Sequence, residues 1–182
     1  MKILVFAGSL RQGSLNKKFA REAMRLLGTK SGIETEFVDL QPLSIPVYDG
    51  DFEEASGVPA GVKELAGKIL GADALLISTP EYNGSIPGIL KNTIDWLSRL
   101  KPVSLAGKPL LLIAASPGAL GGIRSLWHTR QPFEVLGTYV FPEMMALPAA
   151  HVAFDDAGAL KDAKLVERLN GLLDRFLARE RR

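Results

Sequence analysis

A loop rich in hydroxyl side chains lies near the N-terminus, and its residue types are those that bind a phosphate. It carries Ser9, Arg11, Ser14 and Asn16, so it offers hydroxyl groups, one guanidinium and one amide within a few residues. The apolar run Ile3–Ala7 precedes the loop and predicts a strand buried on both faces. Apolar residues with a helical period follow it, so backbone N–H groups and the positive end of a helix dipole face the loop. The sequence therefore predicts a phosphate site at the start of the first helix.

The spacing of the glycines separates this loop from two common nucleotide-binding motifs. Gly8 and Gly13 are spaced as in a P-loop, but the next two residues are Ser and Leu, where a P-loop requires Lys followed by Ser or Thr. A dinucleotide fingerprint requires glycine at the position of Leu10. The loop therefore favours one terminal phosphate. An alternative remains open from the loop alone: Ser14 only caps the first helix, and Arg11 is solvated.

Two further loops follow apolar runs and carry the residue types of a ligand site. Pro80–Pro87 offers an aromatic ring, an amide, a carboxylate and a glycine, and Ser116–Gly122 offers small residues against which a flat ligand could lie. Each loop has a structural alternative, with Ser85 as the N-cap of a helix or with Gly121 and Gly122 as a helix start. Three such loops at one edge of a sheet favour a ligand site.

Apolar runs alternate with helical periods along the chain, which predicts an α/β fold with a five-stranded parallel sheet and helices on both faces. The first, third and fourth runs are apolar throughout, whereas the second alternates with acidic residues as an edge strand does. This favours the strand order 2-1-3-4-5, in which ligands bind at the carboxyl ends of the first and third strands. The predicted strands cover residues 3–7, 33–40, 74–79, 108–115 and 138–141, the predicted helices cover about 15–27, 58–70, 86–100, 123–136 and 162–179, and a long acidic loop covers 42–54.

The composition is that of one globular domain over residues 1–182, with 47% hydrophobic residues, 23% charged residues and a formal net charge of +2. The absence of cysteine excludes disulfides and thiolate chemistry, and two histidines disfavour a histidine metal site. Part of the basic excess lies in 179–182, where we expect a solvated helix end and no nucleic-acid partner. The N-terminal apolar run breaks at Gly8 and is too short for a signal or membrane segment, so we expect a cytoplasmic protein without membrane insertion.

The three loops together resemble those of the NADPH-dependent FMN reductase family, whose flavodoxin-like members include quinone, chromate and azo-dye reductases. The resemblance rests on Gly8–Asn16, Pro80–Pro87 and Ser116–Gly118 and extends over nearly the whole chain. One departure is Leu15, where relatives often carry an aromatic residue. The resemblance implies that FMN is the cofactor, with its phosphate in the first loop, its isoalloxazine ring against the second, and the third completing the pocket. The residues implied as FMN-binding are Ser9, Arg11, Ser14, Leu15, Asn16, Pro80, Glu81, Tyr82, Asn83, Gly84, Ser116, Gly118 and Gly121.

The resemblance also implies an activity. It is the FMN-dependent oxidation of NADPH or NADH with reduction of a small acceptor, such as a quinone, a flavin, an azo dye or a metal oxyanion, by ping-pong hydride transfer through FMN N5. The flavin carries the chemistry, so no catalytic side chain is assigned, and Glu81 and Tyr82 are expected only to shape the pocket. Relatives pair as dimers or tetramers, which implies a homodimer or homotetramer here, with Tyr82 or Asp49–Glu54 near the partner.

Two other functions stay open beside this one. A flavodoxin-type electron carrier would bind FMN without its own NAD(P)H-dependent turnover, but such proteins typically have a threonine-rich phosphate loop, aromatic side chains on both sides of the flavin and a strongly acidic surface. This chain has serine and Arg11 in the loop, Tyr82 as the one obvious aromatic residue beside the ring, and a net charge near zero. A sensor or scaffold that has lost the flavin is disfavoured by the intact Arg11 and the Pro80–Gly84 loop.

Overall fold

A parallel β-sheet runs through the centre of the protein in the computed structural model, which describes residues 1–180. The strands are β1 (Lys2–Ala7), β2 (Glu34–Val38), β3 (Ala74–Ser78), β4 (Pro109–Ala115), β5 (Tyr139–Val140) and β6 (Met145–Leu147). Their order is β2-β1-β3-β4-β5 with every pair parallel, which confirms the order predicted from the sequence. The all-apolar strands β1, β3 and β4 are central, and the alternating β2 lies at an edge.

The sixth strand differs from the prediction of five. Strand β4 pairs with β5 through Pro109 and Leu110, and with β6 through Ile113–Ala115. Pro142 lies between β5 and β6 and has no N–H group to donate to β4, so it is incompatible with a continuous ladder. Two short strands therefore share the outer side of β4 within the part of the chain that the structure describes.

Helices cover both faces of this sheet, as predicted. They are α1 (Leu15–Leu27), α2 (Gly50–Ser56), α3 (Ala60–Leu70), α4 (Gly88–Leu97), α5 (Ile123–Val135), α6 (Ala150–Ala153) and α7 (Ala163–Glu180). Successive residues of a strand point to opposite faces, so β1 contributes to two cores. Ile3 and Val5 belong to the core under α1 and α7, whereas Leu4 and Phe6 belong to the core under α3, α4 and α5.

Helix α1 starts directly after the first loop because its N-terminus is capped there. Ser14 is the N-cap, and its Oγ accepts the backbone N–H of Lys17 at 3.3 Å. Phe19 and Ala23 are fully buried against the sheet, and the helix ends at Gly28, whose N–H donates to the helix. The sheet and the cap together aim the positive end of α1 at the carboxyl end of β1.

The segment predicted as a long acidic loop contains the short helix α2. Asp49 caps this helix, since its Oδ1 accepts the N–H groups of Asp51 at 2.8 Å and Phe52 at 3.3 Å. Trp96 of α4 holds the preceding chain by donating its Nε1–H to the carbonyl of Pro46 at 2.9 Å. None of the residues of α2 is buried, so no apolar period in the sequence could reveal it.

Helix α7 closes the described part of the chain at Glu180. The predicted solvated tail extends over residues 181 and 182, which lie outside the described residues. None of the helices within residues 1–180 combines the length and the apolar character needed to cross a membrane.

Candidate functional site

The loops after β1, β3 and β4 meet at one edge of the sheet and enclose an open cleft. This edge holds the carboxyl ends of the central strands, where the ligands of open α/β sheets bind. The structure brings most of the sequence-predicted site residues together here. Asn83, Gly84, Gly118 and Gly121 belong to the same loops but do not line the cleft. The residues that line it are Ser9, Arg11, Ser14, Leu15, Asn16, Pro80, Glu81, Tyr82, Ala115, Ser116 and Pro117.

The first loop forms a corner of the cleft that presents hydrogen-bond donors and a positive charge. The Oγ atoms of Ser9 and Ser14 each accept a backbone N–H, from Arg11 at 3.4 Å and from Lys17 at 3.3 Å. Each hydroxyl hydrogen remains able to donate to a ligand, so the cap predicted as an alternative role of Ser14 is compatible with binding. The guanidinium of Arg11 is exposed and makes no hydrogen bond or ion pair with residues 1–180. No acidic side chain lies in the first turn of α1 to oppose an anion.

Lys17 carries a second positive charge near this corner, but that charge is already compensated. Its Nζ lies 2.8 Å from Oδ2 of Asp39, at the end of β2. Burial raises the pKa of Asp39, but the Lys17 ammonium and the N–H of Gln41 more than offset this and hold the pKa below its usual value. Among the described residues that line the cleft, Arg11 is therefore the cation that remains available to a bound anion.

Asn16 is buried, and its amide joins the first loop to the other two. Its Nδ2 donates to the carbonyl of Ala115 at 2.8 Å, and its Oδ1 accepts the N–H of Ala115 at 2.9 Å. The same Oδ1 accepts the hydroxyl of Ser78 at 2.9 Å. The side chain thus pairs with the end of β4 as a neighbouring strand would. Contact between Asn16 and a phosphate stays a prediction.

The second loop begins with a tight hairpin rather than a simple strand-to-helix turn. Tyr82 and Ser85 exchange backbone hydrogen bonds of 3.1 and 3.0 Å. Asn83 and Gly84 between them have φ angles of 52° and 76°, the left-handed values of a type I′ turn, for which Asn-Gly is the favoured pair. Ser85 does not cap α4, which starts after Pro87 without a side-chain cap. The hairpin holds the Tyr82 ring, 47% exposed, at the mouth of the cleft.

Helix α5 holds the second loop in place, a role that the sequence analysis missed. Ser125 donates its hydroxyl to the carbonyl of Pro80 at 2.8 Å, and His128 Nδ1 is hydrogen-bonded to Ser85 Oγ at 2.9 Å. The guanidinium of Arg124 is paired with the carboxylate of Glu81. These three side chains lie on one side of the helix start, at the i, i+1 and i+4 spacing, which was the only signal available in the sequence.

Glu81 is the one carboxylate among the described residues that line the cleft, and the structure keeps it ionised. Burial raises its pKa, but the Arg124 guanidinium and the backbone N–H groups of Arg124 and Ser125 more than offset this and hold the pKa below its usual value. A carboxylate held in this form accepts hydrogen bonds and does not donate a proton near neutral pH. Glu81 therefore shapes and charges the wall rather than serving as a general acid.

The third loop requires glycine at two positions because neighbouring strands pack closely against its backbone. Gly121 has φ 62°, and a Cβ there would lie 2.8 Å from the backbone of Leu147 in β6. Gly122 has φ 94°, and a Cβ there would lie 2.9 Å from Cβ of Ala114 in β4. Ligand contacts by Gly118 and Gly121 stay predictions. The cleft wall itself is formed by Ala115, Ser116 and Pro117, of which the sequence analysis named only Ser116.

Comparison with known proteins places this loop arrangement in a family. The sequence model of NADPH-dependent FMN reductases matches residues 1–152, which include all three loops. The chain belongs to the NADPH-dependent FMN reductase family. The resemblance seen in the three loops is thereby confirmed.

Several known proteins are similar to the chain over most of its length. A quinone reductase of Escherichia coli is 38% identical over 179 residues, which are 97% of this chain and 93% of the relative. An NAD(P)H-dependent FMN reductase of Pseudomonas aeruginosa is 40% identical and covers 92% of this chain and 88% of its own. Among solved structures, the flavoenzyme NAD(P)H:(acceptor) oxidoreductase FerB of Paracoccus denitrificans superposes with a TM-score of 0.84 at 31% identity, over 97% of this chain and 95% of its own.

Proposed function

We propose that the protein is an FMN-dependent NAD(P)H oxidoreductase that reduces small acceptors such as quinones. The observation that carries the proposal is the guanidinium of Arg11, which has no partner among residues 1–180 and lies beside two serine hydroxyls at the N-terminus of α1. A guanidinium with backbone N–H groups and hydroxyl donors matches a phosphate monoester, which needs a charged partner and several donors. The descriptions of the family and of its relatives support the same cofactor and reductant.

The rest of the cleft offers two walls between which we propose that a flat ring joined to that phosphate lies. Ser9, Arg11 and Ser14 would hold the phosphate, and the walls at Pro80–Tyr82 and Ala115–Pro117 would hold the ring between them. Pro80 and Ala115 are buried and give these walls backbone and small apolar groups rather than charged ends. A bound FMN would supply the redox chemistry, namely uptake of a hydride from the nicotinamide and transfer of its electrons to the acceptor. In this proposal the described side chains that line the cleft bind and orient, and none of them is assigned a proton-transfer role.

The open mouth of the cleft supports a proposed order of events. The cleft is open at the mouth, where the Tyr82 ring is half exposed. The nicotinamide and the acceptor would use this same opening, so NAD(P)H has to leave before the acceptor enters. We expect parallel double-reciprocal lines in initial-rate measurements, and intersecting lines that require a ternary complex would contradict the proposed order.

An electron carrier of the flavodoxin type is the alternative. Among the described residues that line the cleft, Tyr82 is the only aromatic one, so the cleft lacks an aromatic residue on each side of a ring. This favours an open site at which a second substrate can approach. The deciding experiment is to record the visible spectrum of the purified protein, identify the released cofactor, and follow NADPH or NADH consumption with a quinone. Binding of FMN without sustained consumption of either nucleotide would favour the carrier.

We also propose that the protein assembles at least as a homodimer and acts in the cytoplasm, where NAD(P)H is available. Helix α5 carries two large apolar side chains on the surface, Trp127 at 57% and Val135 at 78% exposure, and the exposed Tyr82 belongs to the adjoining second loop. Apolar groups of this size on one side of a protein favour a partner. Sedimentation equilibrium at micromolar concentration tests the assembly, and a mass equal to the 19.7 kDa chain would contradict it.

A further inference from the structure

The carboxylate of Glu81 places a negative charge in the wall of the cleft, and Arg124 contributes the positive charge that compensates it. The Oε1 atom of Glu81 accepts a hydrogen bond from Nε–H of Arg124 at 2.7 Å and a second one from a terminal N–H of the same guanidinium. Its Oε2 accepts the backbone N–H of Arg124 at 3.1 Å. The side chain of Glu81 is only 8% exposed, whereas that of Arg124 is 52% exposed. The charge of Glu81 is therefore poorly screened by water and depends on this partner.

The pair also couples the second loop to the start of α5. Gly122, the N-cap of α5, has no side chain to accept the first N–H groups, and the first turn contains no acidic residue. Glu81 supplies the missing acceptor from another loop. The Arg124 guanidinium also lies over the hairpin, 3.7 Å from the position that a Cβ of Gly84 would occupy. One arginine thus contacts both the wall of the cleft and the hairpin beside it.

We propose that Arg124 is a positioning and charge-balancing residue of the flavin site, acting through Glu81. The inference rests on the proposed function, because it concerns how the ring is held and reduced. An uncompensated carboxylate in this wall would oppose the negative charge that reduction places on the cofactor, in a setting with little water to screen it. With Arg124 in place, the same carboxylate caps α5 and fixes the loop without that penalty.

The test compares Arg124→Ala, Glu81→Gln and the double variant. Apo forms are titrated with FMN and with riboflavin, and the midpoint potential of the bound flavin is measured for each. For Arg124→Ala we expect both flavins to bind more weakly by the same factor, on the order of tenfold, because the ring and not the phosphate is affected. We expect its midpoint potential to fall below that of the wild type. In the double variant the potential should return to that of the wild type, because neither a bare carboxylate nor an unpaired guanidinium remains.

The potential separates charge balance from a merely structural role. A potential unchanged in Arg124→Ala, or a shift that persists in the double variant, would overturn the proposal. Arg175→Ala is the control, since Arg175 donates to both carboxylate oxygens of Glu143, with contacts of 2.7 to 3.0 Å, and neither residue lines the cleft. A potential shift of equal size in that control would also overturn it.

Failure of the proposed function has a different signature. A wild-type protein that binds neither flavin overturns both ideas. A different result overturns only the role of Arg124. In that result, Arg11→Ala weakens the binding of FMN alone, and the Arg124 variants match the wild type in flavin affinity and midpoint potential.

Discussion

Replacing Arg11 by alanine tests the phosphate corner directly. The guanidinium is exposed and makes no hydrogen bond or ion pair with the described residues, so its removal should leave the fold intact. Hydrogen bonds to charged groups contribute roughly 1.5–3 kcal/mol, and a guanidinium can make two of them in parallel with a phosphate. We therefore expect Arg11→Ala to raise the Kd for FMN by about 10- to 150-fold.

Riboflavin provides the internal comparison, because it has the ring but no phosphate. Its weaker affinity should change by less than about twofold in Arg11→Ala, since the lost contact is one that riboflavin never makes. Arg11→Lys should fall between wild type and Arg11→Ala for FMN, because an ammonium keeps the charge but cannot form the parallel pair of bonds. The variant should thus lose its discrimination between the two flavins.

Fluorescence titration of apo protein with both flavins measures these affinities. Gln12→Ala is the matched control, as Gln12 is an exposed neighbour in the same loop that does not line the cleft. An FMN affinity within about twofold of wild type would refute the assignment of the phosphate corner and move the phosphate elsewhere. Equal weakening of both flavins would show that Arg11 acts on the ring or on the fold instead.

Three further predictions concern stability. Asn16→Leu leaves the N–H and carbonyl of Ala115 buried without their partner, so the free energy of unfolding of the apo protein in urea should fall by about 2–4 kcal/mol. Gly121→Ala forces a Cβ to 2.8 Å from the backbone of β6 at φ 62°, so it should lower the melting temperature, whereas Gly67→Ala, in α3 with nothing within 4 Å, should not. The pKa of Glu81 is lower in the folded protein than its usual value near 4.5, so its ionised form stabilises the fold at neutral pH, and this contribution is lost as the pH falls through the folded pKa. The difference in melting temperature between wild type and Glu81→Gln should therefore be present at pH 7 and disappear in acid; a constant difference would contradict it.

The fold could be predicted because its central strands coincide with continuous apolar runs in the sequence. Strands β1, β3 and β4 are central and almost fully buried, so nearly every position in them has to be apolar, and this makes them recognisable in the sequence. The elements that the sequence analysis missed have no such signal. Helix α2 buries no residue, and Met145–Leu147 in β6 is too short for a period, with Pro142 interrupting the run just before it.

The position of the candidate site could be predicted for a topological reason, whereas its supporting contacts could not. The loops after parallel central strands must meet at one edge, so naming those strands was enough to name the loops. The engagement of Asn16 with Ala115 joins residues 99 positions apart, and that of Glu81 with Arg124 joins residues 43 positions apart. Contacts over such separations depend on how α1 and α5 pack on the sheet, and no local sequence pattern indicates that packing.

The two cores differ in when their partners are synthesised. The buried residues of the core under α3, α4 and α5, including Leu65, Ile94 and Phe133, all lie before position 134, and only the partly buried Met144 and Ala146 that pack against it come later than position 141. The core under α1 needs Leu169, Leu173 and Phe176 of α7, the last described helix. A growing chain on the ribosome therefore carries α1 with part of its apolar face uncovered until α7 has emerged. We expect the loop at the N-terminus of α1 to become rigid late, so that cofactor capture follows the synthesis of α7 rather than that of the earlier elements.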